Sequence, residues 1–156
     1  MTKPSDPPIF FYFQKTAFSL RNRKKLKHFL AQIFRSKKKR LARLIYVFST
    51  DRDVLKINRQ YLSHDFYTDV ITFNLSDGWD IEGEVYLSVD RIKENAKAFN
   101  VSFSYELHRV IFHAALHLCG YGDKTTGDKV IMRKEEDRYL SEYFALFHVK
   151  HHKLNR

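Results

Sequence analysis

The sequence predicts an α+β fold, a single mixed β-sheet of about four strands packed with about five helices. Three observations carry the prediction. Apolar residues recur with a period of two in some segments and of three to four in others, and the two patterns alternate before giving way to helices alone beyond residue 90. Cap and turn residues stand at the joints between segments. The 156 residues are 44% hydrophobic and no Pro/Gly-rich linker divides them, so 1–156 is expected to form a single domain around one core.

Residues 9–13 read as a first strand, and 22–34 as an amphipathic helix with Leu26, Phe29, Leu30 and Ile33 facing inward. A second strand at 44–48 precedes a helix over 51–62 that carries Val54, Leu55, Asn58 and Tyr61. Strands 70–75 and 84–89 are joined through Ser76-Asp77-Gly78, a turn-forming cluster. A third helix follows at 90–99. The next begins at Ser102 or Ser104, both good N-caps, and runs to about 119. The last spans about 127–147. The 14 Phe and 9 Tyr fall mostly at apolar-face positions, which predicts core packing rather than base stacking.

Within the fourth helix, His113 and His117 stand four apart and so share a face, where both imidazoles can grip one ion. Leu107, Val110, Ile111, Ala114 and Leu118 form the apolar face beside them, with Glu106 on the same flank as the histidines. Gly120 and Gly122 permit the left-handed backbone that ends a helix, so the chain can turn back and offer Asp123 as a third ligand. Three protein ligands leave a fourth tetrahedral position open, as catalytic zinc requires. The spacing alone leaves partly buried structural histidines as the other reading. With 8 His in the chain, about 0.4 such pairs arise by chance. A second pair, His148 and His152, lies in a basic tail without apolar face, glycine turn or carboxylate, and reads as a solvated chain end. Cys119 projects about 160° around the helical wheel from His117 and reads as a small buried hydrophobe.

Charge is uneven. Residues 1–43 hold 13 Lys/Arg against Asp6 alone, a net +12, while the rest of the chain is net −2. Concentrated on the first helix and the loop after it, where Lys37, Lys38, Lys39 and Arg40 stand in a row, this charge suits a phosphate backbone. No apolar run approaches 18 residues, so no membrane span is expected. The N-terminus lacks an export pattern, and a lone Cys suits a reducing, cytoplasmic compartment.

The same stretch resembles the YbeY family of bacterial rRNA maturation factors, whose signature is His-Gly-x-Leu-His-Leu-x-Gly-Tyr-Asp-His. His113, Leu116, His117, Leu118, Gly120 and Tyr121 match it. Asn58, Tyr61, Asp65 and Thr68-Asp69-Val70-Ile71-Thr72-Phe73 are similar to the family's Asn-x-x-Tyr-Arg-x-x-Asp-x-Pro-Thr-Asp-Val-Leu-Ser-Phe segment. Glu82 to Ser88 resembles its Gly-Asp-Ile strand, Asn95-Ala96 its following helix, and Met132 with Glu136 its Met-x-x-x-Glu. The likeness covers about 41–140. In it the family's third His falls on Asp123, the preceding Asp on Gly122, the Gly after the first His on Ala114, its Arg on Leu62 and its Pro on Tyr67. Arg59, one turn before Leu62, is the candidate to replace that Arg.

A zinc ion polarises a phosphoryl oxygen and lowers the pKa of bound water, which suits metal-assisted hydrolysis, and the basic stripe points to RNA. Nickel, copper or iron also accept two imidazoles and a carboxylate. A zinc peptidase of the His-Glu-x-x-His type is excluded, because position 114 is Ala where the Glu base would stand. Glu106 and Asp69 are the candidate general bases. The resemblance implies a single-strand-directed endoribonuclease that matures the 3′ end of small-subunit rRNA, with the ribosome or its proteins as partners and no role for DNA. The competing readings are a non-catalytic RNA-binding ribosome-assembly factor whose metal maintains shape and, behind it, a zinc-dependent hydrolase of another substrate.

Overall fold

The computed structural model describes residues 5–147. Four strands and five helices follow one another as β1 (Ile9–Phe13), α1 (Arg23–Ser36), β2 (Arg40–Ser49), α2 (Asp51–Leu62), β3 (Val70–Asn74), β4 (Asp80–Ser88), α3 (Val89–Phe99), α4 (Phe103–Leu118) and α5 (Thr126–Leu146). The strands form one mixed sheet in the order β1-β2-β4-β3. β1, β2 and β4 run parallel, and β3 pairs antiparallel with β4 across the turn at Gly78, where φ is +94°. The α+β class and the element count match the sequence reading.

Boundaries shift where pairing or capping overrides the hydrophobic pattern. β2 and β4 each begin four residues before their apolar runs, because Arg40 and Leu41 continue the parallel ladder opposite Asp80 and Ile81. The basic residue Arg40 therefore opens a strand instead of ending a loop. Val89 belongs to α3, since the Ser88 hydroxyl accepts from the Arg91 amide and caps that helix. Asn22 lies outside α1 in a left-handed conformation, and the helix continues to Ser36. Of the two cap candidates for α4, Ser102 is used, accepting from the Tyr105 amide.

The core lies between the sheet and α4, with α1, α3 and α5 packed around that helix. Along β4, Ile81, Val85 and Leu87 are buried while Glu82, Glu84 and Tyr86 face outward in part, the alternation of a sheet whose second face is half open. α4 is central and buried on nearly all sides, even at Glu106 and His108, so one apolar face understates its burial. Tyr46 of β2 donates to the Ile111 carbonyl at 2.9 Å. Near its end α4 comes so close to β4 that a Cβ at Gly83 would lie 2.6 Å from Leu118 Cδ1. Leu118, which makes that contact, directly follows His117. Among the described residues no helix is long and apolar enough to cross a membrane.

Candidate metal centre

α4 ends as its glycine predicts. Gly120 takes φ +106°, the Gly120 amide donates to the His117 carbonyl, and the Tyr121 amide reaches back to Leu116. Gly122 is different: its φ is not left-handed, and a Cβ there would meet Asp128 Oδ2 at 3.1 Å, so it serves close packing against α5. The turn delivers Asp123 to the histidines. Its Oδ2 lies 3.1 Å from His117 Nε2 and 3.4 Å from His113 Nε2. One donor atom from each residue falls within 4.8 Å of the others, a group that could hold a metal ion. Cys119 lies outside that group, buried, its thiol pushed up to about 11 by burial against the opposing pull of Lys39 and Lys37.

A second layer orients the first. His113 Nδ1 stands 2.5 Å from Glu136 Oε2 on α5. With the proton held at Nδ1 by a carboxylate, Nε2 keeps its lone pair toward Asp123 and His117, which is the orientation a metal ligand needs. Burial alone would push the Glu136 carboxyl up. The hydrogen bond from His113 and the charges of Arg109, His113 and Arg133 override it and hold the group below its ordinary value. Arg109 reaches Glu136 at 3.3 Å, grips both oxygens of Glu106 at 2.8 and 2.6 Å, and comes within 3.8 Å of Asp69. Burial works against the Arg109 charge, but its bonds to Glu106 and the nearby Glu136 and Asp69 raise its pKa on balance. The donor set, its orientation and the charge around it fit a divalent cation.

The histidines and Asp123 open into a cleft of about 630 Å³, also lined by Asp69, Leu62, His64, Phe66 and Lys124. Of the two candidate bases, Asp69 is in the cleft, hydrogen-bonded by Asn95 at 3.3 Å. Glu106 is not in it: this carboxylate is 1% exposed with both oxygens on Arg109. Arg59 is exposed outside the lining and pairs with Asp65. The basic row also divides. Lys37 is mostly buried, 3.1 Å from Glu135 and over the rings of Tyr121 and Tyr139, and Arg40 pairs with Asp80 at 2.5 Å. Lys38, Lys39 and Arg40 are all exposed, and of these only Arg40 is engaged in an ion pair among the described residues. The tail pair His148 and His152 falls outside the described residues.

A family model described as Endoribonuclease YbeY matches residues 12–144. The chain belongs to the YbeY family. Curated relatives named Endoribonuclease YbeY include a Cytophaga hutchinsonii protein, 43% identical over 134 residues that span 85% of this chain and 94% of the relative. A Flavobacterium johnsoniae protein is 43% identical over 87% of this chain and 95% of its own length. One from Bacteroides thetaiotaomicron is 46% identical over 66% and 75%. A solution structure of a Thermotoga maritima protein superposes with a TM-score of 0.64 at 26% identity, covering 90% of this chain and 91% of the other.

Two of this YbeY chain's departures, Asp123 and Leu62, line the cleft itself. Arg109 escaped the sequence reading, and Glu136 was matched to the family without a role. Both left a signal. Glu106, Arg109 and His113 follow one another at helical spacing, and Glu136 is a carboxylate within the buried stripe of Met132, Tyr139 and Tyr143 on α5.

Proposed function

We propose that this chain is a metal-dependent endoribonuclease that cleaves single-stranded RNA, with zinc as its ion, in maturing the 3′ end of small-subunit rRNA and in ribosome assembly. The observation that supports this most is the convergence of His113 Nε2, His117 Nε2 and Asp123 Oδ2 in an open cleft, within a family named for endoribonuclease activity. An ion held by those three supplies Lewis-acid polarisation of a phosphoryl oxygen and a lowered pKa for water.

The chain's own residues supply the rest. Glu136 keeps the His113 proton at Nδ1, away from the cleft. Asp69, held by Asn95, is the carboxylate in this reading that takes the proton of the attacking water. Glu106 anchors Arg109 and takes no proton from the substrate. Lys124 lines the cleft and meets phosphate there. Arg59 and the exposed Lys38 and Lys39 add affinity farther out. In this reading the protein works as one domain in the cytoplasm on rRNA and the ribosome, without DNA.

The test is single-turnover cleavage of a single-stranded RNA by protein freed of contaminating nuclease, with and without chelator and beside a His117→Ala control. Cleavage that requires both added metal and His117 is expected. Tight RNA binding with no metal-dependent cleavage would replace this reading with that of a non-catalytic assembly factor.

A further inference from the structure

The loop of residues 63–69 between α2 and β3 carries two aromatic rings that no core claims. Phe66 is 55% exposed and Tyr67 53% exposed. Both are held in place. The buried Asn58 donates its Nδ2 hydrogen to the Phe66 carbonyl at 3.0 Å, and Arg59 pairs with Asp65 beside it. The Phe66 ring stacks on His64, with centroids 5.0 Å apart and 21° between planes. The Arg91 guanidinium lies over the Tyr67 ring at 5.1 Å, itself fixed by Asp51 at 2.7 Å. Each ring is thus backed by a planar group yet half open to solvent. His64 and Phe66 also line the cleft that holds His113, His117 and Asp123.

We propose that Phe66, stacked on His64, with the neighbouring Tyr67, forms a platform on which unpaired RNA bases stack at the mouth of the metal cleft. The inference rests on the functional reading above and adds the element that selects the strand. Every nucleobase has a flat face, and a fixed, backed aromatic ring binds that face with little regard to sequence. In a duplex those faces are covered by neighbouring bases, so the platform takes single strands and refuses paired ones. The cleft is continuous with the platform, so a strand whose phosphate reaches the three donors lays its adjacent bases across this wall. The patch is poor in aliphatic side chains, with Leu62 its one exposed member, which suits bases better than the apolar side chains of a protein partner.

The experiment uses the full-length, metal-loaded protein with three probes: a short single-stranded RNA containing 2-aminopurine, its blunt duplex, and the same strand with abasic sites. Phe66→Leu should weaken single-strand binding by about tenfold and abolish the stacking quench of 2-aminopurine, and Phe66→Trp should restore both. On the abasic strand, wild type and Phe66→Leu should bind alike. Leu at this exposed position should leave the melting temperature unchanged; if it does not, Tyr67→Leu carries the same comparison. Wild-type affinity and quenching in Phe66→Leu, the outcome if the rings dock a protein instead, would overturn the platform and leave the nuclease reading standing. A wild-type protein that binds no single-stranded RNA would overturn both.

Discussion

Glu136 decides which nitrogen of His113 faces the cleft, and a single atom tests that role. Glu136→Gln retains a hydrogen-bond acceptor but loses the charge that Arg109 and His113 share. Metal affinity, read by competition with a chelator, should fall by about 10- to 100-fold with the fold intact. If the proposed group holds the metal, His117→Ala removes one of its three ligands, and elemental analysis should find no stoichiometric metal in that variant. His108 offers a different residue-level test. It is buried, donates from Nδ1 to the Ser104 carbonyl at 2.7 Å, and leaves Nε2 without a partner among the described residues. Burial lowers its pKa from 6.5 to about 4, despite the bond to Ser104. Below pH 6.5 the unfolded chain takes up a proton that the folded chain refuses. Stability therefore falls as pH drops from 6.5 to 4 and loses nothing further from this group below that. The loss should be about 3 kcal/mol, read by urea unfolding across that window. His108→Phe should show a correspondingly flatter profile.

At the scale of elements, the approach of α4 to β4 is the joint that positions the site. Gly83→Ala would force Leu118 to give way, costing about 1–2 kcal/mol of stability. Because Leu118 adjoins His117, the substitution should also weaken metal binding, measured on the same protein by thermal unfolding with and without zinc. The helices and the site helix itself were legible in the sequence because they rest on local signals: a helical apolar period, serine caps, a glycine terminator. Strand starts were not, since Arg40 and Asp80 become strand only by pairing with each other, 40 residues apart. The three-residue donor group was legible for the same local reason, lying within one helix and its turn. The network beneath it was not, because Arg109 and Glu136 meet across two helices. Nor were the exposed rings of Phe66 and Tyr67, since an aromatic in sequence gives no sign of which side of the surface it will occupy.

Over the whole molecule, the basic N-terminal third is less free than its net charge suggests. Lys15, Lys37, Arg40 and Arg43 are spent on ion pairs with Asp53, Glu135, Asp80 and Glu82. Lys24, Lys38 and Lys39 are exposed and appear in no ion pair among the described residues. Replacing those three by Gln should reduce the salt dependence of single-stranded RNA binding by about 2 in the log–log slope. Lys37→Gln should instead lower stability with little change in slope. The placement of the metal group also has a consequence in time. His113 and Glu136 are 23 residues apart on neighbouring helices, whereas β2 and β4 must join across about 40 residues with a strand and helix between. Short closures form before long ones, so the α4–α5 hairpin should assemble ahead of the parallel ladder. In the proposed site, zinc present from the first moment of refolding would find its three ligands within α4 and the turn after it, and fix that turn and the His113 ring that meets Glu136 while the sheet completes. Stopped-flow refolding should be faster with zinc added at the start than with zinc added after the sheet has formed.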